Sequence, residues 1–303
     1  MIGGGPVVAL LAPFPAALAQ RLSQHGFQVV SAGDPLAAQA QAAVTRGSLP
    51  TGDAEFERLP RLRLLCLWGA GRDGVDEAAA ERRGIAIAGS PGANAASVAD
   101  LAIGFVIALL RRLPEAERHL RVGGWSDAAA RLPAARGVTG ARIGIYGFGE
   151  VGRRVAVRAQ ALEMEVGAFS RRPPAAPRVL AFASLLELAR WTDVLVVAAP
   201  GGPQTFHSVD AAVLGALGPQ SCLVNVSRGS VVDEAALCQV LRAGHLGGFA
   251  ADVFDQEPHV PAEMLAFPNA VLTPHVGGAS ESAQAAQREA VLENLRRFFD
   301  ACS

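Results

Sequence analysis

Residues 141–152 read Ala-Arg-Ile-Gly-Ile-Tyr-Gly-Phe-Gly-Glu-Val-Gly, and this stretch decides the fold. An apolar run ends at Tyr146, a G-x-G-x-x-G pattern follows, and helical periodicity continues to Leu162 before another apolar run begins at Glu165. In this setting the three glycines serve a tight turn, a close approach of the backbone to a pyrophosphate, and the packing of helix on strand. The stretch therefore predicts a strand–turn–helix unit that binds a dinucleotide at the helix N-terminus. A tight turn with no ligand is the alternative for the pattern taken alone.

Short apolar runs alternate with helix-like stretches on both sides of this motif, which is typical of parallel α/β sheets. The strands predicted before the motif are Val7–Leu11, Gln28–Ser31, Ala42–Thr45, Leu62–Trp68 and Ile85–Ala88. The strands predicted after it are Glu165–Phe169, Val194–Ala198, Cys222–Val226, Gly248–Ala251 and Ala270–Leu272. Long helices are predicted from about Ala95 to Leu110 and from Ser280 to Phe299, and the proline-rich run 172–177 predicts a surface loop. Two such series indicate two α/β domains.

Charge and cysteine content exclude several classes of protein. The 27 basic and 28 acidic residues nearly cancel, whereas nucleic-acid and anionic-membrane surfaces need clustered Lys and Arg. The apolar residues 101–110 cover about half of a membrane span, so they predict a buried helix in a soluble protein. The cysteines form no CxxC pair and have no regular spacing, and Cys66 and Cys222 lie in apolar runs, which together predict a reducing, cytoplasmic location. With no HExxH or paired-cysteine pattern, no metal site is predicted. The cysteines are Cys66, Cys222, Cys238 and Cys302.

The segment after the second strand of the motif distinguishes between two cofactors. An NAD site would place an acidic residue about 20 residues after the first glycine, where it would bind the ribose hydroxyls. This chain has Ser170, Arg171 and Arg172 there instead, and two guanidinium groups can hold a 2′-phosphate. The pattern favours NADPH and leaves NAD possible, since the arginines could also begin an exposed loop.

Three later strands are each followed by a reactive side chain, namely Arg228, Glu257 and His275. In an open α/β sheet, ligands bind beyond the carboxyl ends of the strands, so these side chains should converge on one crevice. Each of them alone could be a surface or turn residue. Together, downstream of a dinucleotide motif, they predict a catalytic site.

These motifs resemble the D-isomer-specific 2-hydroxyacid dehydrogenases, a family that includes glyoxylate/hydroxypyruvate reductases and phosphoglycerate dehydrogenases. The segments that carry the resemblance are 68–76 (Trp-Gly-Ala-Gly-Arg-Asp-Gly-Val-Asp), 97–100 (Ser-Val-Ala-Asp), 147–152, 223–230, 251–258 and 272–278. The resemblance implies two Rossmann-like domains. One is a discontinuous, flavodoxin-like substrate domain at residues 1–96 and 281–303. The other is a doubly wound dinucleotide-binding domain at residues 97–280, through which the family forms a homodimer.

The resemblance also implies separate roles for the three reactive residues. Arg228 would bind the substrate carboxylate with its planar guanidinium and place positive charge where negative charge develops. His275 would be the general acid in reduction and the base in oxidation. Glu257 would be its partner, because a nearby carboxylate favours the charged imidazolium.

Further residues follow from the resemblance and the glycine motif. Asp252 would accept a hydrogen bond from the nicotinamide carboxamide, and the residues expected at the substrate are Trp68, Gly69, Ala70 and Gly71, with Arg228 and His275. Backbone N–H groups of the glycine loop would hold the substrate carboxylate. The family usually has a smaller residue where this chain has Trp68, which leaves its place in core or pocket open, and Arg72 is open in the same way. The residues expected at the cofactor are Gly147, Gly149, Glu150, Val151, Gly152, Ser170, Arg171, Arg172, Pro200, Thr205, Val226, Ser227, Arg228, Asp252, His275, Gly277 and Gly278.

The expected activity is the reduction of a small 2-keto acid, similar to glyoxylate or hydroxypyruvate, to the D-(R)-2-hydroxy acid with NAD(P)H. Two alternatives stay open. The first is an enzyme similar to phosphoglycerate dehydrogenase, whose short forms prefer NAD. The second is a dinucleotide-sensing co-repressor, because co-repressors of this fold can keep the catalytic residues. The sequence does not identify the 2-keto acid.

Overall fold

The computed structural model describes residues 5–125, 132 and 134–301, so Cys302 lies outside the described residues. The strands are β1 Val7–Leu10, β2 Gln28–Ser31, β3 Ala42–Arg46, β4 Leu64–Trp68, β5 Ala86–Ala88, β6 Arg142–Tyr146, β7 Glu165–Phe169, β8 Val179–Ala181, β9 Val194–Val197, β10 Cys222–Asn225, β11 Gly248–Ala251 and β12 Ala270–Leu272. The α-helices are α1 Ala16–Gln24, α2 Asp53–Glu57, α3 Glu77–Arg82, α4 Ala95–Leu110, α5 Leu113–Arg121, α6 Glu150–Ala161, α7 Leu185–Trp191, α8 Ala211–Ala216, α9 Glu234–Arg242, α10 Ala262–Ala266 and α11 Glu281–Asp300.

The described residues form two compact units. Unit 1 contains the described residues up to Asn94 together with those from Gly278 onward, and unit 2 is Ala95–Gly277. Each unit contains one sheet with helices on both faces, so each has an apolar cluster on either side of its strands. The α/β class with two Rossmann-like units is confirmed.

The sheet of unit 1 has the parallel strand order β2-β1-β3-β4-β5. This is the flavodoxin-like order. Helix α11 returns to this unit from the C-terminal end of the chain and packs on β4, next to α1. Its residues Val291, Leu292 and Leu295 are buried against the same face of the sheet as Leu18 and Leu22 of α1.

The sheet of unit 2 has the parallel strand order β12-β11-β10-β9-β6-β7-β8. Strand β6 pairs with β7 on one side and with β9 on the other, so the chain changes direction across the sheet at β6. Connections leave this point on opposite faces, which opens a crevice beyond the carboxyl ends of β6 and β9. The glycine motif follows β6, and the sheet therefore presents it at the place where a doubly wound sheet binds a dinucleotide.

Strand β8 is a strand that was not predicted from the sequence. It consists of three residues, Val179–Ala181, and pairs only along one edge with β7. Leu180 and Ala181 are exposed, so this edge strand lacks the continuous apolar run that marks a buried parallel strand. The predicted loop before it, residues 172–177, holds no helix or strand.

No helix within the described ranges has the length and apolar character that a membrane span requires.

Candidate functional site

The turn between β6 and α6 requires two of its three glycines for packing. Gly147 has φ +97°, and a Cβ atom there would lie 2.3 Å from the backbone nitrogen of Ala199. A Cβ at Gly152 would lie 2.0 Å from the carbonyl oxygen of Gly147, so only glycine lets helix and strand approach this closely. These contacts fix the geometry with which the chain enters α6.

The middle glycine has a different environment. A Cβ at Gly149 would meet no atom within 4 Å, so space is open beside this backbone. Gly149 is also the N-cap of α6 and has no side-chain capping bond. The first turn of a helix carries N–H groups that lack an intrahelical acceptor, and an anion can satisfy them. The turn therefore fits a dinucleotide pyrophosphate. Glu150 and Val151 form the start of this helix, and the Glu150 carboxylate pairs with Arg153 at 3.1 Å.

The segment after β7 carries exposed positive charge. Arg171 and Arg172 are both exposed, and the Arg171 guanidinium donates to the side-chain oxygen of Gln204 at 3.0 Å. Ser170 donates its hydroxyl to the carbonyl oxygen of Arg172. The arginine segment is thus held beside the loop after β9. Its positive charge is complementary to a 2′-phosphate, whereas the free ribose hydroxyls of a dinucleotide without that phosphate are usually bound by a carboxylate.

The loop after β9 is closed by its own threonine. Thr205 donates its hydroxyl to the carbonyl oxygens of Pro200 at 2.6 Å and of Gly202 at 3.2 Å. Ser208 donates to the carbonyl oxygen of Thr205 at 2.8 Å and also bonds the Tyr146 hydroxyl at 2.9 Å. These bonds tie the loop to the end of β6. Pro200 and Thr205 therefore lie on the side of the sheet that carries the glycine turn.

The segment Val226–Arg228 follows β10, and hydrogen bonds of Asn225 and Ser227 hold its conformation. The Asn225 amide donates to the carbonyl oxygen of Arg228 at 3.0 Å, and its oxygen accepts from the Ser227 N–H at 3.1 Å. Ser227 donates its hydroxyl to the carbonyl oxygen of Ala199, which joins this segment to the β9 loop. The Arg228 guanidinium donates to the carbonyl oxygen of Ser227 at 2.8 Å and is partly exposed.

Gly229 brings the Arg228 segment against the loop after β11. A Cβ at Gly229 would lie 1.9 Å from the carbonyl carbon of Phe254, so a side chain there would push the two segments apart. The loop that Gly229 touches continues to Glu257. Gly229 was not predicted as a site residue, although its position directly after a predicted catalytic arginine is a signal of close approach.

Asp252 has a role that the sequence analysis did not predict. Its carboxylate is 3% exposed and accepts three bonds from the turn after β12. The Oδ1 atom accepts from the Thr273 hydroxyl at 2.6 Å and from the Val276 N–H at 2.7 Å, and Oδ2 accepts from the Gly277 N–H at 2.7 Å. Asp252 therefore shapes the turn that carries His275, and a contact with the nicotinamide stays a prediction.

His275 lies in that turn with φ +53°, a left-handed conformation that few non-glycine residues adopt. Its N–H donates to the carbonyl oxygen of Asp252 at 2.8 Å, and its Nδ1 lies 2.7 Å from Oε2 of Glu257. The other carboxylate oxygen of Glu257 accepts from the Phe254 N–H at 3.1 Å. Since Nδ1 is engaged by the carboxylate, Nε2 is the ring nitrogen that can exchange a proton with a substrate.

The charge state of Glu257 follows from its neighbours. Burial of the carboxyl by itself raises its pKa, but the hydrogen bond and charge of His275, the Phe254 N–H and the charge of Arg228 outweigh this effect. The pKa of Glu257 is therefore lower than its usual value. The carboxylate form prevails at neutral pH, which is the form that can orient an imidazole and stabilise its cation.

This lowered pKa predicts a pH-dependent contribution to stability. The ionised Glu257 stabilises the fold above its unfolded-state pKa of about 4.3, and the contribution is lost as the pH falls through the lower, folded-state pKa. We expect Glu257→Gln to reduce the loss of unfolding free energy on acidification, measured by urea denaturation between about pH 3 and 7. In a His275→Ala background the same substitution should change this slope less, and an equal change in both backgrounds would contradict the assignment.

The predicted substrate loop follows β4 in unit 1. Gly69 has φ +109°, and a Cβ at Gly47 would lie 1.7 Å from the carbonyl oxygen of Gly71, so two glycines set the shape of this loop. The ring of the partly buried Trp68 lies 5.5 Å from that of Phe14 and packs against the apolar cluster below α11, and a contact of Trp68 with a substrate stays a prediction.

Arg72 and Gly278, two residues considered in the sequence analysis, also lie in unit 1. Arg72 faces solvent and pairs with Glu77 at 3.6 Å, in accordance with a solvated role. Gly278 lies beside Asn94, where a Cβ would be 2.9 Å from the amide nitrogen.

Unit 2 thus collects most of the predicted site at the carboxyl ends of its strands. The glycine turn follows β6, the arginine segment follows β7 and Arg228 follows β10, while Asp252 and Glu257 both follow β11 and His275 follows β12. The predicted substrate loop Gly69–Gly71 belongs to unit 1. Among the described residues, no group of three or more His, Cys, Asp or Glu side chains is arranged to hold a metal ion.

Comparison with known proteins gives concordant matches. The family model described as D-isomer specific 2-hydroxyacid dehydrogenase, NAD binding domain, matches residues 103–277. The chain is 38% identical over 269 residues to hydroxyphenylpyruvate reductase of Plectranthus scutellarioides, covering 88% of this chain and 85% of that protein. It is 39% identical over 243 residues to glyoxylate/hydroxypyruvate reductase A of Arabidopsis thaliana, covering 80% and 76%.

Solved structures match over almost the whole chain. An NADPH-dependent glyoxylate/hydroxypyruvate reductase from Sinorhizobium meliloti, in complex with NADP and malonate, superposes with a TM-score of 0.87 at 34% identity, covering 97% of this chain and 93% of that one. A 2-hydroxyacid dehydrogenase from Ketogulonicigenium vulgare superposes with the same TM-score of 0.87 at 33% identity, covering 98% and 96%.

Proposed function

The chain belongs to the D-isomer-specific 2-hydroxyacid dehydrogenases, and we propose that it reduces a glyoxylate-like or hydroxypyruvate-like 2-keto acid to the D-2-hydroxy acid with NADPH. The observation that carries this proposal is the 2.7 Å contact between His275 Nδ1 and Glu257 Oε2. This pair lies at the same edge of the sheet as a glycine turn that fits a pyrophosphate. A proton donor and a hydride source are the two parts that the reduction of a ketone requires.

His275 is the proton donor in this proposal. The nicotinamide, when bound, provides a hydride for the keto carbon. Negative charge then develops on the keto oxygen, and the imidazolium of His275 delivers a proton to it through Nε2. Glu257 holds Nδ1 by a hydrogen bond, which orients the ring so that Nε2 is directed to the keto oxygen. The turn built on Asp252 fixes the ring in place, so little reorganisation is needed during the reaction.

Arg228 binds the substrate carboxylate in this proposal. A guanidinium offers two parallel N–H groups to the two oxygens of a carboxylate, and its charge also stabilises the oxyanion. The hydrogen bonds between the Asn225 side chain and the backbone of Ser227 and Arg228 hold the main chain of the arginine in place. We assign unit 1, with its Gly69–Gly71 loop, as the substrate domain and unit 2 as the cofactor domain.

The preference for NADPH depends on Arg171 and Arg172. We expect Arg171→Ala to raise KM for NADPH by about tenfold or more, because a charge-assisted bond to the 2′-phosphate is lost, and to leave KM for NADH within about twofold. Steady-state kinetics with both cofactors measures this. Arg190→Ala, an exposed arginine on α7, is the matched control. A parallel rise in both KM values would show that Arg171 stabilises the fold or attracts both cofactors through its charge, and does not bind the 2′-phosphate specifically.

A reduction assay tests the activity itself. Purified protein is offered glyoxylate, hydroxypyruvate and phenylpyruvate, each with NADPH and with NADH. We expect oxidation of NADPH with at least one of the small 2-keto acids. If none of them oxidises either cofactor, the proposed activity is contradicted, and the result would favour the dinucleotide-sensing co-repressor. If NADH is preferred, the NADPH preference inferred from Ser170–Arg172 is wrong, but the proposed reduction of a 2-keto acid is not contradicted. That result would favour the enzyme similar to phosphoglycerate dehydrogenase.

We also propose that the protein is a cytoplasmic homodimer that joins through its cofactor domains. The family resemblance supports the dimer. The three described cysteines, Cys66, Cys222 and Cys238, are free thiols in buried positions, which supports a reducing compartment. Light scattering of the purified protein tests the dimer.

A further inference from the structure

Helix α11 buries one stripe of side chains, and one member of that stripe is polar. The buried positions Ala283, Gln287, Val291 and Leu295 recur every four residues, which is the spacing of one helix face. The stripe packs on β4. A glutamine within an otherwise apolar stripe breaks the hydrophobic pattern, and such breaks are tolerated at functional positions.

The side-chain amide of Gln287 contains a buried acceptor that makes no hydrogen bond with the described residues. The residue is 3% exposed, and its Oε1 atom is buried with no hydrogen-bond partner among the described residues. Buried amides are normally paired, because an unpaired one has lost its bonds to water without replacement. Asn294, two turns further along the same helix, follows that rule and donates to the carbonyl oxygen of Gly89 at 3.0 Å.

Gln287 faces the start of the glycine loop after β4. An ideal Cβ at Gly69 would lie 3.7 Å from the Gln287 amide nitrogen, so the bare side of Gly69 is turned toward this amide. The carbonyl oxygen of Gly69 already accepts from the Ser90 N–H at 2.9 Å, so it points to the β5 side of the loop. The amide group of Gln287 is thus a polar group beside the loop to which we assign the substrate carboxylate.

The chemistry of the unpaired atom selects its partner. Oε1 is an acceptor, so it needs a group that carries a proton. The carboxylate and the keto oxygen of a 2-keto acid are acceptors and cannot satisfy it. A hydroxyl on the carbon chain of the substrate can, and the same hydroxyl can accept from the amide nitrogen. Rotation of the terminal amide by half a turn exchanges Oε1 and Nε2, and a hydroxyl, which both donates and accepts, can bond the amide in either orientation.

We propose that Gln287 is a specificity residue whose buried amide hydrogen-bonds the C3 hydroxyl of a 3-hydroxy-2-keto acid held at the Gly69–Gly71 loop. This proposal rests on the proposed function and makes it narrower, because it favours hydroxypyruvate over pyruvate and glyoxylate. A site built to bond a hydroxyl discriminates against analogues that lack it, since its buried polar group is then left unpaired.

The test compares two substrates that differ only in this hydroxyl. Gln287→Met keeps the length of the side chain and removes the amide, and Gln24→Met is the matched control at an exposed position of α1. We expect Gln287→Met to lower kcat/KM for hydroxypyruvate by about tenfold and to leave kcat/KM for pyruvate within about twofold. Because an unpaired buried amide is removed, the melting temperature of the free protein should stay equal or rise.

A second readout needs no turnover. The products D-glycerate and D-lactate differ by the same hydroxyl, so D-glycerate should protect the unmodified protein more strongly against thermal unfolding. This difference should vanish in Gln287→Met. Equal loss of kcat/KM with both keto acids would assign Gln287 a structural role, and unchanged kcat/KM values with both would show that its amide bonds a trapped water and not the substrate. Either result overturns the inference while the reductase activity stands. If the unmodified protein reduces no 2-keto acid, the proposed function fails and this inference fails with it.

Discussion

Replacing His275 with alanine should lower kcat for the reduction of a 2-keto acid by about 10²- to 10⁴-fold, the usual contribution of a positioned general acid. The affinity for NADPH should change little, because the glycine turn and the arginine segment that we assign to the cofactor follow other strands of the sheet. Stopped-flow turnover and fluorescence titration with NADPH measure the two quantities. The backbone of this turn is held through Asp252 and not through the imidazole, so the variant should keep its fold.

The matched control is His245→Ala, which removes an exposed imidazole of the same unit. It should leave kcat unchanged. If His275→Ala retains full turnover, the proton donor is another group, and His259, two residues after Glu257 in sequence, is then the next candidate. If NADPH affinity falls together with kcat, His275 contributes to the cofactor site and the loss of turnover is no measure of proton transfer.

Replacing Arg228 with alanine should lower kcat/KM by about 10²- to 10⁴-fold, because two charge-assisted bonds of about 1.5–3 kcal/mol each are lost in the transition state. Arg228→Lys should recover only part of this loss, since an ammonium keeps the charge but cannot pair with two oxygens at once. Kinetics with glyoxylate over a range of concentrations separates kcat from KM.

The fold of the Arg228 variants should survive for a structural reason. Asn225 donates to the backbone carbonyl of Arg228, and this bond does not depend on the side chain. The stem of Arg228 fills the space beside Gly201, where a Cβ would be 2.8 Å from its Cγ, so a small loss of stability is expected. Arg242→Ala removes an exposed ion pair with Glu263 and is the control. Full recovery in Arg228→Lys would show that Arg228 acts through charge alone, and equal losses in Arg228→Ala and Arg242→Ala would contradict a direct contact of Arg228 with the substrate.

The sequence predicted strand positions well wherever a strand is buried on both faces. The ends of the predicted strands differ from the observed ones by no more than two residues. Buried parallel strands need continuous apolar runs, and this need is visible in one dimension. Strand β8 was missed because only one neighbour pairs with it and solvent covers Leu180 and Ala181. Its existence depends on pairing with β7, which no local pattern of residues records.

The candidate site was predicted in its residue types, and the family resemblance implied the Glu257–His275 pair, but its other internal connections were not predicted. The spacing of Arg228, Glu257 and His275 after three strands predicted that they share one edge of a sheet. The sequence did not predict that Asp252 accepts three bonds from the turn of His275, or that Gly229 allows two loops to touch. Both features join residues that are about 25 positions apart, at distances set by the pairing of β10, β11 and β12.

The sequence by itself determined the class of protein, because strand periodicity, the glycine turn and the order of reactive residues are local or short-range properties. The tertiary structure alone decided the working geometry. It placed Nδ1 of His275 against Glu257, lowered the pKa of that carboxyl through its neighbours, and left Oε1 of Gln287 buried without a hydrogen-bond partner among the described residues. The physical reason is that hydrogen bonding and burial depend on which distant segments meet, and a pattern along the chain specifies the segments but not the contacts between their side chains.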